Sequence, residues 1–313
     1  MNPDVIPPLL IPLLAVPLAR RLAAGLAPRA AAWLLACTAA VLAVTSTVAL
    51  ALLVAQGALL LPPVAALGHL TLPLIGAGSD GFDVTVPAAC VAAALLAACA
   101  GAVILAIRRY RAEMARAHAA TRACVPAGEL AVLQDSDPDA YALPGRPGRI
   151  VVTTGMLRAL APGEREALLA HERAHLVGRH HLFIVVAALA ATCHPLLRGL
   201  RAPLSYALER WADESAAAAI GDRRLAARAV GRAALAARTV SSGRPSAALA
   251  MSTGPVPRRV AALLHAVPPV DLRRSRGPRL VAALLAGCLL LSAAAAVEGA
   301  TDLHEIVETA QGE

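Results

Sequence analysis

The chain has 313 residues, of which 58% are hydrophobic, 16% charged and 2% aromatic, with a formal net charge of +8. A soluble domain carries roughly 25% charged residues, so this composition excludes an ordinary water-soluble protein. The positive charge comes from 29 arginines and no lysine; no recognisable nucleic-acid module accompanies them, so direct nucleic-acid binding is not expected.

From the N-terminus, residues 5–19 are apolar but interrupted by Pro7, Pro8, Pro12 and Pro17, and prolines kink or break helices. Arg20 and Arg21 follow this stretch, whereas a signal peptide puts basic residues before its apolar core. A retained span is therefore expected here. Residues 30–55 and 86–107 are free of charge and meet the length of about 20 residues needed to cross a bilayer. Residues 280–297 form a fourth, slightly short, uncharged run. Cys37, Cys90, Cys99 and Cys288 lie inside apolar runs, while Cys124 and Cys193 lack CxxC spacing. They read as buried small hydrophobes rather than disulfides.

All arginines fall at Arg20, Arg21 and Arg29 or between Arg108 and Arg279. Because cytoplasmic flanks collect positive charge, the first loop and the central segment are expected in the cytoplasm and both termini outside, a parity that four spans satisfy. The chain then divides into a membrane region at 1–107 with three spans, a domain at 108–279, a fourth span at 280–297 and a short acidic extracytoplasmic tail at 298–313.

Within the central segment, residues 108–122 predict a helix leaving the membrane. Residues 130–134 and 150–154 are β-prone pieces around a turn-rich stretch at 135–148. Pro162, Gly163, Glu164 and Glu166 mark a helix start, with acids complementing the dipole. The charge-free run 182–193 is too short to cross a membrane and ends at His194-Pro195. A second helix through 204–220 stops at Gly221, a third covers 223–238, and 241–257 reads as a loop.

The chemistry lies in His171-Glu172-Arg173-Ala174-His175, an HExxH sequence on the helix predicted for 164–179. Imidazoles at i and i+4 share a helix face and reach one Zn²⁺, while Glu172 addresses a water on that metal. A hydrolytic zinc needs a third protein ligand and an open position. Glu209 and Asp213, also four residues apart and on the second helix, offer a carboxylate ligand and an acceptor that orients a ligand imidazole. Paired acids on a surface helix are also common without a metal.

These residues, with Ala140-Tyr141-Ala142-Leu143-Pro144-Gly145 leading to Ile150-Val151-Val152-Thr153-Thr154-Gly155, resemble the gluzincin membrane metallopeptidases. Two branches compete: the BlaR/MecR-type antirepressor peptidases, and the HtpX and CaaX-processing group. Three spans, a zinc domain and then a fourth span resemble the first branch, which otherwise ends in a large penicillin-binding sensor; with about 15 residues following the last span here, direct β-lactam sensing is not expected. The resemblance implies one Zn²⁺ per chain on His171, His175 and Glu209, Glu172 as general base, and Asp213 as the group that orients a ligand. Ala140, Tyr141, Ala142 and Leu143 read either as an edge strand that pairs with extended substrate or as an ordinary hairpin edge.

The expected molecule is thus a multi-pass α-helical protein of the cell membrane with a mainly helical α+β cytoplasmic gluzincin-type zinc peptidase domain. It acts as a metalloendopeptidase on a cytoplasmic protein, a DNA-binding transcriptional repressor in the BlaR/MecR reading, with the lipid bilayer as its other partner. The alternatives are an HtpX-like quality-control protease and a non-catalytic membrane signalling module. His180 and His181 read as interfacial caps, because His180 rotates off the metal face of a continuous helix. Tyr206 is the one nearby hydroxyl for an oxyanion, with packing as its competing role, and Arg258-Arg259 and the 273–279 cluster read as membrane-flanking charges.

Overall fold

A computed structural model describes residues 5–61, 79–122, 126–238, 256–265 and 276–311. Most of the connection predicted at 56–85, most of the 241–257 loop, Cys124, part of the 273–279 arginine cluster and the last two residues lie outside this set.

Among the described residues, uninterrupted Ala, Leu and Val give three helices long and apolar enough to cross a membrane: Pro28–Leu59, Val84–Thr121 and Gly277–Thr309. They belong to α3 (Pro28–Leu59), α4 (Ser79–Arg122) and α11 (Arg276–Gln311). The 32 residues of α3 reach about 48 Å at 1.5 Å per residue, more than the roughly 30 Å of hydrocarbon. The stretch at 5–19 instead takes the form of two short helices, α1 (Ile6–Leu10) and α2 (Pro12–Gly25), the second opened by Pro12 and carrying Pro17 inside it. Small residues bring the long helices together: a Cβ on Gly57 of α3 would strike that of Ala89 on α4, a close approach that suits membrane helix packing. The five described cysteines are free, and none is buried; Cys37 and Cys90 are exposed on the outer faces of apolar helices, which corrects the expectation of buried thiols. The acidic tail also departs from a simple tail, continuing α11 as helix to Gln311.

Between α4 and α11, a four-stranded sheet in the order β1-β2-β4-β3 is built from Pro126–Ala127, Leu130–Leu133, Ala140–Leu143 (β3) and Arg149–Thr153 (β4). β2 and β4 run parallel, while β3 pairs antiparallel with β4 and forms an edge. Thr153 ends β4 and starts the short α5 (Thr154–Ala159): its Oγ1 donates to Asp137 O at 2.7 Å and accepts from Met156 N at 3.1 Å. The side chain of Glu164 accepts from Ala161 N at 3.0 Å and so secures the start of α6 (Pro162–Val177) by satisfying an otherwise unpaired donor.

α6 meets α7 (His180–Cys193) at a bend of 57°. Arg179 forms the hinge with φ +50°, a left-handed conformation unusual for a residue with a Cβ. α7 is 14 residues long, about 21 Å, and its end touches the middle of α4, where Cys99 Sγ lies 3.5 Å from Thr192 O. His194 then caps a 3₁₀ turn, Pro195–Leu200, and α8 (Arg201–Ile220) runs back to pack on α6, ending at Gly221 with φ +70°. Residues of α2, α3, α7, the 3₁₀ turn, α8 and α11 share one apolar core that includes Leu35, Leu42, Leu197, Leu204 and Leu208. α9 (Arg223–Arg238) and α10 (Val256–Leu264) close a smaller cluster around Leu263.

Candidate metal centre

The 3.6-residue period of α6 sets the rings of His171 and His175 on one face, with their Nε2 atoms 3.1 Å apart. α8 brings Glu209 to the same point, Oε2 at 3.5 Å from His171 Nε2 and Oε1 at 3.7 Å from His175 Nε2. A tetrahedral zinc with ligands near 2.0–2.1 Å sets ligand atoms about 3.4 Å apart; the two imidazoles approach that spacing, and Glu209 meets them through different oxygens. All three are buried, and their ligand atoms lie within 4.8 Å of one another. Two imidazoles and one carboxylate leave the fourth position that a hydrolytic zinc gives to water.

The electrostatics also favour a cation. Burial works against charge on His171, yet Asp213 and Glu209 hold it up at about 10. Burial and the positive charge on His171 push His175 well below its ordinary value, which leaves it neutral, as a ligand must be. Asp213 is fully buried and lies 3.1 Å from His171 Nδ1; although burial opposes its charge, Arg259 and His171 hold its carboxyl well below the usual range.

Glu172 sits beside the ligands on α6, buried, with its carboxyl pushed up to about 7 chiefly by that burial and against the opposing pull of His171. A group with that affinity is matched to proton exchange near neutral pH. The backbone N–H of Ala142 on β3 works weakly against that rise, which puts the carboxyl beside β3. The register explains why that donor is free. Thr153 N donates to Asp139 O at 2.9 Å, and Tyr141 and Ala142 pair with Val151 and Ile150. By antiparallel alternation Tyr141 and Leu143 bond to β4, while Ala140 and Ala142 turn their backbone groups to the open side.

Two residues read from the sequence as peripheral are at the centre. Arg259 is only 6% exposed: its Nη1 lies 2.7 Å from Glu209 Oε2, and its Nη2 and Nε reach the two oxygens of Asp213 at 2.7 and 2.8 Å. It is no membrane-flanking charge. Arg258 remains exposed, its guanidinium 5.0 Å above the ring of Tyr206, so Tyr206 carries a stacked arginine. His180 is likewise no interfacial cap, being fully buried with Nδ1 2.7 Å from Nδ1 of His175. The bend at Arg179 turns it back towards the site, whereas His181 stays partly exposed. No sequence signal separates Arg259 from Arg258; for His180 the signal is its proximity to the motif, but a helix continuous through 179 would turn it off the metal face.

Residues 105–194 match the model of peptidase family M48. A curated relative, protease HtpX homolog 2 from Methanosarcina acetivorans, is 37% identical over 78 residues, covering 23% of this chain and 26% of that protein. The chain thus spans about a quarter of the length of the relative it matches. No solved structure matches. The family match contains the sheet, α6 and α7 but ends before Glu209, Asp213 and Arg259. With the apolar helices and the His171-His175-Glu209 group, these similarities support a membrane metallopeptidase.

Proposed function

We propose that the protein is an integral-membrane zinc metalloendopeptidase whose site faces the cytoplasm and cuts an extended segment of a cytoplasmic protein. The observation that carries this reading is the convergence of the buried His171, His175 and Glu209, whose ligand atoms lie within 4.8 Å of one another, beside a buried Glu172 next to the edge strand β3. Zinc, when bound, supplies Lewis acidity and brings the pKa of water towards 7. Glu172 takes a proton from the water whose oxygen attacks the peptide carbonyl carbon, and returns it to the leaving nitrogen as the C–N bond breaks. A peptide laid along the open side of β3 pairs with the free N–H and C=O of Ala140 and the C=O of Ala142, so its backbone passes beside Glu172. Asp213 holds the ring of His171, and Arg259 balances the two buried carboxylates.

The confinement of arginine to Arg20, Arg21, Arg29 and residues 108–279 supports a cytoplasmic domain with both termini outside. The BlaR/MecR resemblance favours a transcriptional repressor as substrate in a signalling pathway. The similarity to protease HtpX homolog 2 favours a second reading, membrane-protein quality control. Co-expression of wild type or Glu172→Gln with cellular proteins, followed by mass spectrometry of N-termini, separates them. A repressor fragment made only by wild type is the expected result. New N-termini confined to multispan proteins would replace signalling with quality control, and identical N-termini in both cultures would refute the peptidase.

A further inference from the structure

A histidine that gives Nε2 to a metal must carry its proton on Nδ1, and that N–H needs an acceptor to fix tautomer and ring orientation. For His171 the group beside Nδ1 is Asp213, at 3.1 Å. For His175 it is a second imidazole: His180 Nδ1 stands 2.7 Å from His175 Nδ1, the rings meeting edge to face with centroids 4.7 Å apart. His180 can accept there only if its own proton is on Nε2, and that atom is buried with no partner among the described residues. Nε2 lies against Gly178, where any Cβ would collide with it. On a continuous helix a residue five positions on would be rotated by about 140°; the left-handed Arg179 and the 57° bend bring His180 back.

The ring is also caged. Trp211 tilts over His180 at 4.6 Å between centroids, Phe183 lies at 6.4 Å, and Trp33 of α3 packs edge to face on Phe183 at 4.9 Å. Both tryptophans of the chain thus stand in the packing around this one imidazole. Packing alone would be served as well by an apolar side chain; the short N–N contact requires an acceptor.

We propose that His180 is a positioning residue for the metal ligand His175, accepting its Nδ1–H and so holding Nε2 towards the ion. This rests on the metal reading above, and His180 touches neither ion nor substrate. The test uses full-length protein in detergent: wild type, His180→Leu and His180→Asn, with Zn²⁺ affinity measured by competition against a chromogenic chelator. Leucine fills the cage without an acceptor, whereas asparagine sets Oδ1 close to the place of Nδ1. The Kd for Zn²⁺ should rise about 10–100-fold in His180→Leu and return to within about threefold of wild type in His180→Asn. Wild-type affinity in His180→Leu would overturn the proposal, as would His180→Asn binding no better than His180→Leu. A wild-type chain that takes up no Zn²⁺ would overturn the metal reading itself, a different result from either.

Discussion

Arg258 and Arg259 are adjacent and chemically identical, yet their loss should have very different consequences. Arg259 makes three contacts of 2.7–2.8 Å with Glu209 and Asp213, carboxylates that are 3% and 0% exposed. At an effective dielectric of about 20, each of the two ion pairs is worth about 4 kcal/mol of Coulomb attraction with charge centres about 4 Å apart, offset by desolvation of several kcal/mol per ion. Removing one partner strands the other, and the usual net loss is about 3–5 kcal/mol. Arg259→Leu should therefore lower the unfolding free energy of metal-free protein in detergent by about 3–5 kcal/mol, followed by tryptophan fluorescence, because Trp211 lies on α8 between Glu209 and Asp213. Arg258→Leu loses only an exposed stacking contact, about 0.5–1 kcal/mol. Zn²⁺ at about 100 times its Kd should return up to about 2.7 kcal/mol to a chain that still binds it, since a cation again faces the stranded acids. Adding Asp213→Asn to Arg259→Leu should also recover part of the loss. Equal stability of the two single arginine variants, within about 1 kcal/mol, would refute the burial argument.

Other perturbations read different parts of the site. His171→Ala and Glu209→Ala should each abolish stoichiometric zinc in elemental analysis, and a chelator should remove it from wild type; full zinc content in either variant would remove that residue from the ligand set. Ala142→Pro takes away the N–H beside Glu172 but leaves the bonds to β4 intact, because residue 142 faces the open edge where proline is tolerated. Its kcat should fall about 10-fold or more with zinc content unchanged, and an unaltered kcat would show that Glu172 needs no such anchor. Arg179→Gly should be tolerated at φ +50°, whereas Arg179→Val should cost about 1–3 kcal/mol in unfolding measurements; equal stabilities would mean the hinge is not confined to the left-handed conformation.

Much of the molecule follows from spacing within single segments. HExxH puts two imidazoles on one helix face wherever that helix packs, and four-residue spacing does the same for Glu209 and Asp213, because the period of 3.6 is a property of the local backbone. Charge-free runs at 30–55, 86–107 and 280–297 identify the three long apolar helices for the same local reason, since in lipid the backbone must satisfy its own hydrogen bonds. Gly221, which closes α8 with φ +70°, and the two central strands were legible as well.

The rest depends on which segments meet. That α8 returns to α6, so that Glu209 joins the two histidines, is fixed by the apolar core shared by α2, α3, α7 and α8, a sum of weak contacts with no single motif. That 140–143 forms an edge is an expectation of the sequence and agrees with strand order β1-β2-β4-β3, but that this edge packs against α6 is decided by the tertiary structure. His180 defeated sequence reasoning through one dihedral angle, because a left-handed Arg179 breaks the periodicity on which the facing argument relied. Arg259 is the plainest case. Composition and flanking sequence cannot distinguish it from Arg258, yet a step of about 100° around α10 turns one side chain to solvent and the other towards the buried carboxylates of Glu209 and Asp213, which need a cation.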